Sequence, residues 1–226
     1  MEQKEFRMMV LIATPKLADK AAELLAQNDL IVQYRLSAEG TASSDIMDAL
    51  GLGSVDKAVV VSTVPRSLAG YILRRLHIEL RLDTQGSGIA FTLPLTGASN
   101  ITLRMMTHAA EQAAATQHGK DDYAMTEIKY TLISAIVNRG FSGDVMEAAR
   151  TAGARGGTVV HSRCIENKEA AGLWGLGLQE EKELVLILAE VEDKLAIMRA
   201  VSEACGMHSE AKGLVVSLPV DSVMGV

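Results

Sequence analysis

This chain repeats itself at a fixed distance, and no other feature limits its fold so sharply. Asp56-Lys57-Ala58-Val59-Val60-Val61 resembles Glu181-Lys182-Glu183-Leu184-Val185-Leu186, in each case an acid, a lysine and then an apolar run, with the lysines 125 residues apart (57 to 182). Gly88-Ile89-Ala90-Phe91-Thr92-Leu93-Pro94-Leu95 matches Gly213-Leu214-Val215-Val216-Ser217-Leu218-Pro219-Val220, and the prolines keep the same 125-residue register (94 to 219). Gly51-Leu52-Gly53 answers Gly175-Leu176-Gly177 at 124, which needs one residue gained or lost between. Separate blocks in one register point to a tandem duplication, because self-similarity at a fixed spacing marks a repeated structural unit.

Hydrophobic periodicity gives each copy the same order of elements. In the first, strands are expected at Arg7–Ala13, Leu30–Leu36, Ala58–Val64 and Gly88–Leu95. Helices are expected from Pro15 to about Gln27 and along the face Leu68, Ile72, Leu76 and Leu80. The second copy has strands at Tyr130–Val137, Gly157–Arg163, Glu183–Leu188 and Gly213–Val220, with helices at Gly143–Ala152 and Val191–Cys205. Short helices at Ser43–Leu50 and Lys168–Trp174 fill the two central loops. The order βαββαβ, twice, defines an α+β chain of two tandem ferredoxin-like domains, with both helices of each on one sheet face. Residues 101–117 read as a connecting helix, so the domains are expected at 1–118 and 119–226. Because Val59, Val61, Val185 and Ile187 leave no polar sheet face, packing of one copy on the other or homo-oligomerisation is expected.

Composition excludes several classes of partner. The net charge is −6 with Lys and Arg scattered, so no basic stripe is present to release counterions from nucleic acid. The N-terminal segment carries charge in place of a signal peptide's apolar region, and the apolar runs are far shorter than the roughly 20 residues of a membrane span. A cytoplasmic protein is expected, with Cys164 and Cys205 as buried or idle thiols. His77, His108, His118, His161 and His208 show no ligand spacing with the cysteines, so no metal site is expected. Nor is there a nucleophile with a base or a phosphate loop with its lysine; no catalytic residue and no enzyme activity are expected.

Two segments offer chemistry. Gly40-Thr41-Ala42-Ser43-Ser44 sets three hydroxyls ahead of a short helix, either to hold a small anion or as an ordinary turn and cap. Arg139-Gly140-Phe141-Ser142-Gly143 brackets a helix start with glycines; a tight turn with Ser142 as N-cap is the favoured reading over an anion cradle. Lys57 and Lys182 open the third strand of each copy, either only to solvate a strand end or, as their repetition slightly favours, to act in a cleft.

The residues of the second copy, Ala135 to Gly143, Gly153 to Val159, Glu181 to Ile187 and Leu218-Pro219-Val220-Asp221, resemble the PII nitrogen-regulatory signalling family. The first copy, through Gly40 to Asp45, Leu50 to Gly53 and Phe91 to Leu95, resembles a divergent branch of it. The resemblance implies a homo-oligomer with three ferredoxin-like units packed through their sheets and effectors in the clefts between them. It also implies nitrogen-related regulation of a target protein such as a transporter or metabolic enzyme. It makes Thr158, Arg163 and the glycines of the loop before the last strand, Gly86 and Gly88 with Gly213, effector-binding residues beside Gly40, Thr41, Ser43 and Ser44. The implied cofactor is an adenine nucleotide, ATP, ADP or AMP. The lysine that follows the loop glycine in the family is replaced by Ile89 and Leu214, and the arginines beyond the last strand are missing, which removes charged donors for phosphate. A different reading of the same fold is a small-molecule or metal-handling trimer of the divalent-cation-tolerance type.

Overall fold

The structure, a computed structural model, describes residues 6–30, 33–41, 55–84, 86–97, 104, 107, 108, 111, 112, 129–163 and 181–225. They delimit β1 (Phe6–Ala13), α1 (Pro15–Ala26), β2 (Gln33–Gly40), β3 (Val55–Pro65), α2 (Arg66–Leu80) and β4 (Gly88–Pro94). The second half supplies β5 (Tyr130–Asn138), α3 (Ser142–Thr151), β6 (Thr158–Arg163), β7 (Glu181–Glu190), α4 (Lys194–Cys205), β8 (Leu214–Val220) and β9 (Ser222–Met224). The chain is mixed α+β and forms two compact units. Unit 1 takes residues 1–37, 56–130 and 219–226; unit 2 takes 38–55 and 131–218.

In unit 1 hydrogen-bonded neighbours run β2-β3-β1-β4, with β9 outside β4. β1 is central: Val10 faces Val61 on one side and Phe91 on the other, both partners antiparallel. α1 starts at Pro15, whose missing N–H costs nothing at a first helical position, and buries Ala18, Ala21, Leu24 and Leu25 along one stripe. α2 buries Leu68, Ile72, Leu73, Leu76 and Leu80, then stops at Arg81 in the left-handed region (φ 51), where Leu82 N–H returns to His77 O at 3.0 Å. Together with Met9, Leu11, Ala58 and Val60 these residues form one apolar cluster. Each such Leu or Ile, taken fully from water, contributes about 1.5–3 kcal/mol.

Unit 2 repeats the order as β8-β5-β7-β6, with the end of β2 (Ala38–Gly40) laid antiparallel outside β6. β6 and β7 are antiparallel, from Thr158 opposite Leu186 to Arg163 opposite Glu181. α3 and α4 place Val145, Met146, Ala149, Ile197, Val201 and Cys205 against Ile133, Ala135, Val137, Val185 and Ile187. Both units therefore show the 4-1-3-2 strand order of a split βαβ fold.

Some expectations shift. The second strand begins at Gln33, not Leu30, because Asn28 and Asp29 close a turn after α1 (Asp29 φ 58) and bury Leu30 with its N–H on Leu25 O at 3.0 Å. α4 begins at Lys194, since Val191–Asp193 form a turn. Val185 and Ile187 belong to the helix-side core of unit 2, and it is Leu184, Leu186 and Leu188 that occupy the other face, half-buried. In unit 1 the residues of the face opposite the helices, Val10, Ile12, Val59, Phe91 and Leu93, are buried as well. β8 differs, leaving Leu214, Val216 and Leu218 exposed. β9 has no counterpart among the expected elements. The short helices Ser43–Leu50 and Lys168–Trp174 and the boundary at 118/119 lie outside the described residues, as does most of the connecting helix, of which 104, 107, 108, 111 and 112 are helical. Among the described residues no helix is long and apolar enough to cross a membrane, which says nothing of a β-barrel.

Two outcomes follow from this packing. Leu73→Ala, at a site with no exposure, is expected to cost about 2–5 kcal/mol in urea unfolding, whereas Leu195→Ala, 70% exposed, changes stability by about 0.5 kcal/mol or less. Burial pushes the Cys205 thiol pKa up, so it stays protonated and shielded. In a Cys164→Ser background, Ellman's reagent at pH 8 should therefore label Cys205 only after denaturant is added; rapid labelling of the folded chain would contradict the packing.

Candidate functional site

The repeated lysine meets the loop before the fourth strand. Lys57, near the start of β3, is half-buried and donates from Nζ to Gly86 O at 2.9 Å. Burial lowers its pKa from the ordinary lysine value. The loop is tightly turned: Thr84 N–H donates to Arg81 O (2.9 Å), and Ser87 gives both its N–H (3.0 Å) and its hydroxyl (2.6 Å) to Thr84 O. Gly88 has φ +137, and a Cβ there would collide with Ile12 O and stand 2.9 Å from Ala13 Cα, so the close approach of loop to β1 needs glycine. Gly86 has φ +81, and among the described residues nothing lies within 4 Å of an added Cβ. Among the described residues one ammonium proton is committed and two remain for an acceptor arriving over Gly86.

Unit 2 makes the equivalent tie differently. Lys182 is buried and its Nζ donates to Asn138 Oδ1. Asn138 in turn donates from Nδ2 to Glu210 O at 2.9 Å and from its amide to Ala211 O at 2.8 Å. In the 125-residue register Asn138 stands where unit 1 has Ala13, and Ala211 where it has Gly86. The lysine therefore reaches its loop through an interposed amide. Gly213 donates its N–H to Cys205 O at 2.8 Å, and a Cβ there would strike that oxygen and lie 3.1 Å from Val137 Cγ1.

The turn after β5 is closed by a protein carboxylate. Glu183, 5% exposed, accepts from Ser142 N–H at 2.9 Å, placing negative charge at the α3 N-terminus. Ser142 is the first helical residue and Phe141 the N-cap, without a side-chain cap, so the expected Ser142 cap is supplied from β7 instead. Arg139 pairs with Glu181 at the surface, which raises its pKa.

Of the other site residues, Gly40, Thr41 and Thr158 come together at one end of the β2–β6 ladder, with Gly40 opposite Thr158. Thr41 Oγ1 donates to Gly157 O (2.9 Å) and accepts from Gly157 N–H (2.8 Å), its N–H also goes to Gly157 O (2.9 Å), and its carbonyl accepts from Arg150. This hydroxyl acts as a ladder clamp. Arg163 ends β6 opposite Glu181, its side chain outside the described residues; Ser43 and Ser44 are also outside them. Gly86 and Gly88 lie together in the unit 1 loop and Gly213 in its unit 2 equivalent. Sequence reasoning did not single out Asn138 or Glu183; the Ala13/Asn138 mismatch in the repeat register was the available signal for the first. Among the described residues no three His, Cys, Asp or Glu side chains are grouped to hold a metal.

No protein-family model and no curated protein matches the sequence. Solved structures similar to this chain include Arabidopsis thaliana PII bound to citrate, 21% identical over 42% of this chain and 78% of that one, TM-score 0.33. The divalent ion tolerance protein CutA1 of Ehrlichia chaffeensis is 10% identical over 48% of this chain and 97% of that one, TM-score 0.35. The regulatory subunit of aspartate kinase from Thermus thermophilus is 16% identical over 88% and 93%, TM-score 0.25. At these identities and TM-scores they stand as likenesses, and the fold assignment rests on the strand order and register above.

Proposed function

We propose that this chain is a cytoplasmic, PII-like regulatory protein, descended from a tandem duplication, that senses a small anionic effector and carries no chemistry of its own. The observation that supports it is the recurrence of one device in both units: a lysine from the third strand tied to the glycine-bearing loop before the fourth. A half-buried ammonium beside a loop held in positive φ suits a phosphate or carboxylate, since charge-assisted bonds in a partly desolvated place are the strong ones. Unit 1 is the binding unit in this reading, because no described residue lies against Gly86 while Asn138 and Ala211 occupy the corresponding place in unit 2. The effector class is an adenine nucleotide or a small anion. Occupancy then shifts the population that engages a target protein of nitrogen or related metabolism, in a homo-oligomer of such chains.

Calorimetry of the full chain against ATP, ADP, AMP, bicarbonate and 2-oxoacids tests this. One of them is expected to bind saturably, with Lys57→Met weakening it about tenfold or more through loss of a charge-assisted bond. Lys182→Met should leave affinity unchanged and lower stability by about 1–3 kcal/mol, because Asn138 loses a buried donor. No binding of any of these, or equal losses from both substitutions, sinks the proposal; saturable binding of divalent cations alone favours the metal-handling trimer.

A further inference from the structure

β8 ends at Val220, and one residue later the chain forms β9 along the outer edge of β4, antiparallel, with Met224 opposite Ala90 and Ser222 opposite Thr92. The residue between is pinned. The Asp221 carboxylate accepts from Arg7 Nε and from Thr92 Oγ1, and its N–H donates to Thr92 O at 3.1 Å. Thr92 is 1% exposed, so its hydroxyl would be left unmatched in the interior, at a cost, without the partly exposed Asp221 carboxylate. Met224 packs on the unit 1 core. Beyond it Gly225, at φ +89, lies so close to the glycine loop that a Cβ would stand 2.5 Å from Gly88 O and 3.0 Å from Leu82 O. Those two carbonyls bracket the loop whose Gly86 accepts from Lys57.

We propose that Asp221–Gly225 is a strap that positions the glycine loop of unit 1, with Asp221 as its latch and Gly225 as its point of contact. Gly225 meets the loop at both of its ends, Leu82 and Gly88, so while that contact is kept a displacement of the loop must move β9 or break its pairing with β4. Only the identity of the loop's ligand depends on the function proposed above; the mechanical coupling does not.

Hydrogen exchange by mass spectrometry on the full chain tests it without any ligand. Asp221→Ala is expected to speed exchange about tenfold or more in peptides spanning 82–94, while unit 2 peptides spanning 131–137 and 185–189 stay as in the parent chain. Asp221→Asn, which keeps an acceptor for Thr92 but loses the charge facing Arg7, should fall between. Gly225→Ala should loosen 82–88 while the 222–224 ladder stays protected. Loosening confined to 222–225, or an equal rise through α1, β3 and the loop, overturns the proposal. If Asp221→Ala does not fold, an unchanged loop in Gly225→Ala overturns it as well. Failure of every effector to bind would remove the sensing function and leave this coupling standing.

Discussion

Each unit is arranged around one central strand that is largely buried and paired along both edges. β1 carries buried residues on both faces and pairs along both edges, with β3 and β4; β5 does the same between β7 and β8. A buried strand with an unpaired edge would leave a row of donors and acceptors unsatisfied, so two neighbours are obligatory. Two helices then cover one face, and the first strand of each copy falls in the middle of its sheet although it comes first in sequence. Loops at the end of that strand are thereby held against its last residues, Ala13 and Asn138.

That placement explains why one lysine appears twice and behaves differently. With Ala13 beneath it, Lys57 reaches the loop carbonyl directly and stays half in water. Asn138 is longer and polar, so it takes the loop carbonyl itself and draws Lys182 inside. A buried ammonium loses hydration that only well-placed acceptors restore, and once so placed it is held rigidly. The same residue type at the same register position is thus buried in one unit and half-buried in the other.

Much of the fold was legible because it was periodic. α1, α2, α3 and the four strands of each copy announced themselves through 3.6- and 2-residue patterns and through Pro15, Pro65 and the glycines that end them. Features created by distant partners were not legible. β9 is three residues long, too short for any pattern, and exists because β4 offers an edge more than a hundred residues earlier. Glu183 caps α3 from 41 residues away, so Ser142 looked like the cap. Leu30 read as strand because it is apolar, yet it is buried as the closing residue of the α1 turn. Thr41 looked like a ligand hydroxyl for its place in a glycine-hydroxyl run, whereas its partners, Gly157 and Arg150, lie in the other half of the sequence.

Lys57 of unit 1 meets its loop directly and half-exposed, whereas Lys182 of unit 2 is buried on Asn138. Carbon-13 NMR of lysine-labelled protein, followed at the Cε resonances during titration with ATP and then with small carboxylates, observes both lysines at once. A saturable shift at Lys57 with Lys182 unmoved is the expected result. A shift at Lys182 alone, or no change at either while a ligand binds elsewhere, would contradict it.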